Sequence, residues 1–329
     1  MAVETNVPVV DIGPFRDGSA GEKRRLAATV GETCEAHGVL VVSGHGVPQD
    51  LIDEAFRASD TFFGLPATEK RRFTPADPAI PRDYTAFASK SLGRTLGLDT
   101  PPDLREQFYI GPAAPDLERL ARFPEAARFY EPNVWPDEPA DYRRVYSELY
   151  REMEALGAVM MRLFAVALDL DEDFFDDKID NHFSTLPANY YPALDGAPAP
   201  DQIRAGPHTD FGSLTLLAIE GEASGLQVQL GDGAWHDVAR PAGSLVVNLG
   251  DMMARWTNDR WRSTLHRVVN PVQAGWGTRR QSIAYFLHPN YDAEIACLDS
   301  CADAARPPRY APILAGAHMA EKMERRVAY

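Results

Sequence analysis

Cysteine is scarce in this 329-residue chain: only Cys34, Cys297 and Cys301 occur, and no two form a CxxC pair. An odd count without that spacing excludes a disulfide framework and a cysteine zinc site. A reducing, cytoplasmic setting is expected. Positive charge is also short. Lys and Arg total 33 against 48 Asp and Glu, a formal net charge of −15. Nucleic acid and anionic membrane surfaces need a basic face, so neither is expected as a partner. A small anionic substrate stays open, because a few local arginines can define a pocket. Long apolar runs are missing as well. The most apolar stretch, LGAVMMRLFAVALDL, is interrupted by Arg162 and reads as a buried helix, not a membrane span. The opening MAVETNVPVVDI has no basic-then-apolar order, so no signal peptide is expected.

What is present suits a large core. The chain is 45% hydrophobic and long enough to need no structural metal, so a metal site here would serve chemistry. Residues 1–182 read as an α-rich part. Its strands are VPVVDI and GVLVVSGHGVP, and its helices span about 21–37, 49–63, 116–130 (interrupted by Pro124) and 139–168. The stretch 73–105, rich in Pro, Gly and Thr, reads as loop. From 183 to 289 short β-type runs alternate with Gly, Asp, Asn and Pro, the signature of a sandwich or barrel. Residues 290–329 return to helix, at about 312–327. The expected fold is mostly β with flanking helices, in a single integrated domain.

Within the β region, HTDFGSLTLLAI places His208 and Asp210 two apart, on one face if the segment is a strand. An imidazole and a carboxylate on one face chelate, and His266 in STLHRVVNP is the best third ligand. Two His and one carboxylate leave positions open and suit Fe(II). An isolated HxD also occurs on surfaces and in cores. The remaining histidines, His37, His45, His182, His236, His288 and His318, lack a comparable pair and read as structural or exposed. Arg280 and Ser282 are likewise two apart, a guanidinium–hydroxyl socket for a carboxylate, with Arg279 on the opposite face. Asn189 and Tyr191 share a face in ANYYP; buried polar residues of this kind also satisfy backbone groups.

In order, NYYP, HTDFGSLTLL, GLQV, NLGDMMARWTNDRWRSTLHRV and RQS resemble the isopenicillin N synthase-like family of 2-oxoglutarate/Fe(II)-dependent dioxygenases. VPVVDI, FFGLPATEKRRF, DLREQFYIG and PNVWP extend the resemblance over nearly the whole chain; Ser43-Gly44 departs from the family's usual Asn before His. The resemblance implies a double-stranded β-helix, or jelly roll, with an N-terminal mixed region and a C-terminal helix. It implies that His208, Asp210 and His266 bind Fe(II), and that Arg280 and Ser282 hold the far carboxylate of 2-oxoglutarate with Asn189 and Tyr191 beside it. With O2, the expected reaction oxidises an unactivated C–H bond of a small organic metabolite, by hydroxylation or by desaturation or ring closure, releasing succinate and CO2. Asp210 argues against a halogenase, which needs that position vacated. Phe211, Leu226, Val228 and Phe286 are expected near the site, with Tyr84, Phe87 and Phe108 at its mouth and the C-terminal helix as lid. Arg82, Arg94 and Arg105 are candidate selectors of an anionic substrate. A monomer or weak homo-oligomer is expected. Two other readings remain: an Fe(II) oxidase of the same fold that does not use 2-oxoglutarate, and a non-catalytic jelly-roll binding protein.

Overall fold

The computed structural model describes residues 7–77 and 80–327. Its helices are α1 (Gly13–Asp17), α2 (Ala20–His37), α3 (Gln49–Phe63), α4 (Ala67–Lys70), α5 (Tyr142–Ala167), α6 (Asp251–Trp256) and α7 (Ala315–Val327). The strands are β1 (Val9–Asp11), β2 (Val39–Ser43), β3 (Asp83–Thr85), β4 (Glu106–Ile110), β5 (Leu186–Tyr191) and β6 (Ala205–His208). They continue with β7 (Leu214–Ile219), β8 (Leu226–Gln229), β9 (Trp235–Asp237), β10 (Leu245–Leu249), β11 (His266–Val268) and β12 (Arg280–Leu287). Eight strands form one sheet in the order β1-β2-β10-β7-β12-β5-β4-β3, and four form a second in the order β6-β11-β8-β9. A two-stranded antiparallel ladder, Glu294–Ile295 with Ile313–Leu314, leads into α7.

Strand alternation builds two cores from the large sheet. Leu216 and Ala218 of β7 and Ile283, Tyr285 and Leu287 of β12 face the helices, packing with Leu149, Met153 and Phe164 of α5. The intervening Leu217, Ile219 and Ala284 face the small sheet and meet Ala205, Leu226, Val228 and Val268. Two sheets closed face to face in this way make the jelly roll, and the functional side chains sit in its mouth.

Local signals set the helices. Ser19 caps α2: its Oγ accepts from Glu22 N, and Glu22 Oε2 accepts from Ser19 N at 2.8 Å, a reciprocal capping box. Gly38 ends α2 at φ 63°, a left-handed position that glycine takes without strain. The expected helix at 116–130 does not form. Only a 3₁₀ stretch, Pro124–Phe129, is present, because Pro124 has no N–H to donate and its ring obstructs the preceding turn. The stretch 73–105 is mostly loop but contributes β3 and a 3₁₀ turn at Gly93–Leu96. The large sheet also runs across the position 183 boundary, since β2 and β4 precede it and pair with β10 and β5, which follow.

Candidate metal centre and its cavity

His208 closes β6, and its Cα partner across the ladder is His266, the first residue of β11. Direct pairing puts both imidazoles on one face, with ring centroids 4.2 Å apart. Asp210 is not on a strand. It lies two residues past the end of β6, in a loop, so alternation along one strand is not what turns it toward His208. The loop is clamped instead. Asp251 N donates to Asp210 O at 2.8 Å, Met252 N to Gly212 O at 3.0 Å, and Ser213 N to Leu287 O at 2.9 Å. A Cβ on Gly212 would come within 2.5 Å of both Leu287 O and His288 Nδ1, so only glycine lets the loop approach β12.

The remaining polar atoms of the three side chains are used to aim them. His208 Nδ1 is 2.8 Å from Gly206 O, and His266 Nδ1 is 3.1 Å from Thr264 O. Each Nδ1–H donates to a carbonyl, so the Nε2 lone pair faces the centre. Asp210 Oδ2 accepts from Thr215 Oγ1 at 2.6 Å and from Asn248 Nδ2 at 3.4 Å, which leaves Oδ1 for the histidines. Oδ1 is 3.6 Å from His266 Nε2 and 3.9 Å from His208 Nε2. Among the described residues these three form the one group of three or more His, Cys, Asp or Glu side chains close enough to share a metal ion. Two imidazoles and a single carboxylate oxygen fit iron(II) chemistry, since they leave coordination positions for other ligands.

Arg280 and Ser282 lie on β12, opposite Tyr191 and Asn189 of β5. Arg280 is buried; its Nη1 donates to Ser282 Oγ and its Nε to Ser224 O, both at 3.3 Å. Its Nη2 is buried without a partner, and the guanidinium lies 5.0 Å over the Tyr191 ring. Burial pulls its pKa below the ordinary arginine value. An unpaired buried guanidinium is costly, so this arrangement fits a bound carboxylate. Asn189 Oδ1 accepts from Gln107 Nε2 at 2.6 Å, tying β5 to β4.

A cavity of about 80 Å³ is lined by His208, Asp210, Phe211, Phe286, Arg105 and Gln107, among others. Tyr109, Thr185 and His288 add polar edges, and Met319 and Met323 of α7 form part of its wall. A larger cleft of about 380 Å³, near Trp135 and His182, gathers no such ligand set, so the chemistry belongs to the smaller one. Several expected cavity residues lie elsewhere. Tyr84 and Phe108 are cross-strand partners whose side chains face the helices, where Phe62 packs edge-on against both. Gln107 and Tyr109 of β4, with Arg105 just before it, line the cavity instead. Phe87 is exposed, and Leu226 and Val228 belong to the inter-sheet core. Arg82 is buried and donates to Phe129 O at 2.5 Å, and Arg94 is half-buried in the Gly93–Leu96 turn. Arg105 is paired with Asp103 at 3.4 Å. His288, read from sequence as structural or exposed, lines the cavity.

Residues 7–138 match the family described as non-haem dioxygenase in morphine synthesis, N-terminal, and residues 183–289 match the 2OG-Fe(II) oxygenase superfamily. The 2-oxoglutarate-Fe(II) type oxidoreductase hxnY of Emericella nidulans is 33% identical over 315 residues, 94% of this chain and 87% of the relative. Validamycin A dioxygenase of Streptomyces hygroscopicus subsp. limoneus is 32% identical, over 89% and 80%. The crystal structure of a full-length Neurospora crassa protein in complex with alpha-KG and thymine superposes with a TM-score of 0.84 at 28% identity, covering 98% of this chain and 97% of that one. The chain therefore belongs to the 2-oxoglutarate–Fe(II) oxygenase superfamily, in its isopenicillin N synthase-like branch, and is an oxidoreductase that acts on small metabolites with Fe(II), 2-oxoglutarate and O2.

Proposed function

We propose that His208 Nε2, Asp210 Oδ1 and His266 Nε2 hold the iron, and that Arg280 and Ser282 receive the far carboxylate of 2-oxoglutarate beside Asn189 and Tyr191. The observation that carries this assignment is the buried, partnerless Nη2 of Arg280 on β12, the strand paired with β7, whose Thr215 holds Asp210. Bound there, Fe(II) and 2-oxoglutarate supply O2 activation coupled to release of succinate and CO2, with oxidation of an unactivated C–H bond by hydroxylation, or by desaturation or ring closure. The chain's own groups bind and enclose. Phe211 and Phe286 offer apolar faces, while Gln107, Tyr109, Thr185 and His288 offer hydrogen bonds without net charge. This supports a small, uncharged organic substrate bearing a flat or hydrocarbon face. Met319 and Met323 keep water from one side. With Met319 and Met323 in its wall, α7 is the lid of this cavity. We further read the chain as one integrated domain, monomeric or weakly self-associating, in a cytoplasmic setting that suits its three free cysteines. Nucleic acid is not a partner at this net charge. Among the described residues no helix is long and apolar enough to cross a membrane.

The test is a screen of uncharged small metabolites for stimulated succinate release by Fe(II)-loaded protein, with Asp210→Ala as control. The variant is expected to lose more than about 100-fold in rate, beyond the cost of losing an outer hydrogen-bond partner. Full activity in Asp210→Ala would sink the ligand assignment. Substrate turnover with O2 uptake and no succinate would favour the oxidase reading.

A further inference from the structure

Arg204 immediately precedes β6, four residues ahead of His208 in the chain. It is 4% exposed. Its Nη2 donates to Thr278 O at 2.6 Å, but its Nε is buried with no partner among the described residues. The largest charge acting on it is not an acid but Arg280, whose strand begins two residues after the Thr278 that Arg204 bonds. Burial first, then the Arg280 charge, brings the Arg204 pKa down to about 10. Tyr191 interacts with both guanidinium groups. Two cations near the sheet have acid partners by contrast: Lys70 lies 2.8 Å from Glu106, and Arg105 lies 3.4 Å from Asp103. Neither Arg204 nor Arg280 has a carboxylate partner among the described residues. Two adjacent buried cations without an anion repel each other and forfeit solvation. The arrangement becomes favourable once an anion sits between them.

We propose that Arg204 is a second anchor for the far carboxylate of 2-oxoglutarate, sharing it with Arg280; this rests on the co-substrate assignment above. The donors match the acceptor. A carboxylate has about four lone-pair sites, and the pocket offers Arg280 Nη2, Arg204 Nε and the Ser282 hydroxyl. The near end of the co-substrate is matched to the metal, so Arg204 affects only the far end. The bland alternative is that Arg204 merely ties the start of β6 to the Thr278 carbonyl.

The two roles separate in binding measurements. Calorimetry on Fe(II)-loaded protein under argon compares 2-oxoglutarate with 2-oxopentanoate, which keeps the keto acid head and lacks the far carboxylate. Arg204→Met is expected to weaken 2-oxoglutarate by about 10-fold or more, the loss of one charge-assisted hydrogen bond. Its affinity for 2-oxopentanoate should not change. Unchanged 2-oxoglutarate affinity, or equal weakening of both acids, overturns the proposal. Should Arg204→Met fail to fold, Arg204→Lys decides by the same comparison: a loss confined to 2-oxoglutarate supports the anchor, and no loss or an equal loss overturns it. Arg280→Met is the control for the underlying reading. If wild type binds 2-oxoglutarate no more tightly than 2-oxopentanoate and Arg280→Met changes nothing, the co-substrate assignment fails and the second anchor with it. If Arg280→Met weakens 2-oxoglutarate and Arg204→Met does not, only the second anchor fails.

Discussion

His288 shows how burial sets a residue's chemistry. Its ring stacks on Phe183 at 5.1 Å and on Phe286 at 6.3 Å, and its Nδ1 is buried without a partner. Burial, then the charges of His182 and Arg82, lower its pKa to about 3. It therefore meets the cavity as a neutral hydrogen-bonding group, in keeping with an uncharged substrate. The unfolded imidazole takes a proton near pH 6.5, whereas the folded one resists protonation until about pH 3. Its contribution to stability is thus fully present above pH 6.5 and is lost as pH falls toward 3. His288→Gln should remove this component. Urea midpoints of metal-free protein should shift in the variant's favour, relative to wild type, as pH drops through that window. Parallel curves for the two proteins would contradict the assignment. No motif in the sequence marks His288, because it lies just past the end of β12 and meets Phe183 and the Gly212 loop only in the fold. His208 and Asp210 were legible from their spacing, but for a different physical reason from the one that holds: a clamped loop, not a continuous strand.

At the scale of elements, legibility followed the number of buried faces. Helix α3 matches its sequence boundaries because one stripe is apolar, and its end at Phe63 precedes Gly64. Strand β4 is buried on both sides, so alternation in REQFYIG does not reveal which side faces the cavity. The aromatic Phe108 therefore draws attention, while the cavity receives Arg105, Gln107 and Tyr109. Pairing with β5 settles the choice, since Gln107 opposes Asn189 and Asn189 opposes Ser282. Helix α5 braces the reverse side of the same sheet. Its Phe164 is fully buried and meets Trp261 edge-on at 5.2 Å. Phe164→Ala should cost about 3–5 kcal/mol of stability, read by urea unfolding. A loss under about 1 kcal/mol would mean that the helix layer is not a tight support for the sheet.

Across the whole molecule, the register that sets His208 opposite His266 joins two strands far apart in the chain. From position 208 to position 266 the intervening segment is a loop of about 58 residues. A metal held by both imidazoles is then a cross-link, and it constrains the unfolded chain as a covalent bridge would. A permanent link across a loop of that length removes unfolded-state entropy worth about 4 kcal/mol. Metal-loaded protein should accordingly unfold at higher urea than apo-protein, with chelator restoring the apo midpoint. Identical midpoints at saturating metal would rule the cross-link out. With metal held there, a chain with three free cysteines would have a bridge of another kind. It forms only when the correct strands have met, and it can be undone by acid or a chelator without breaking a covalent bond.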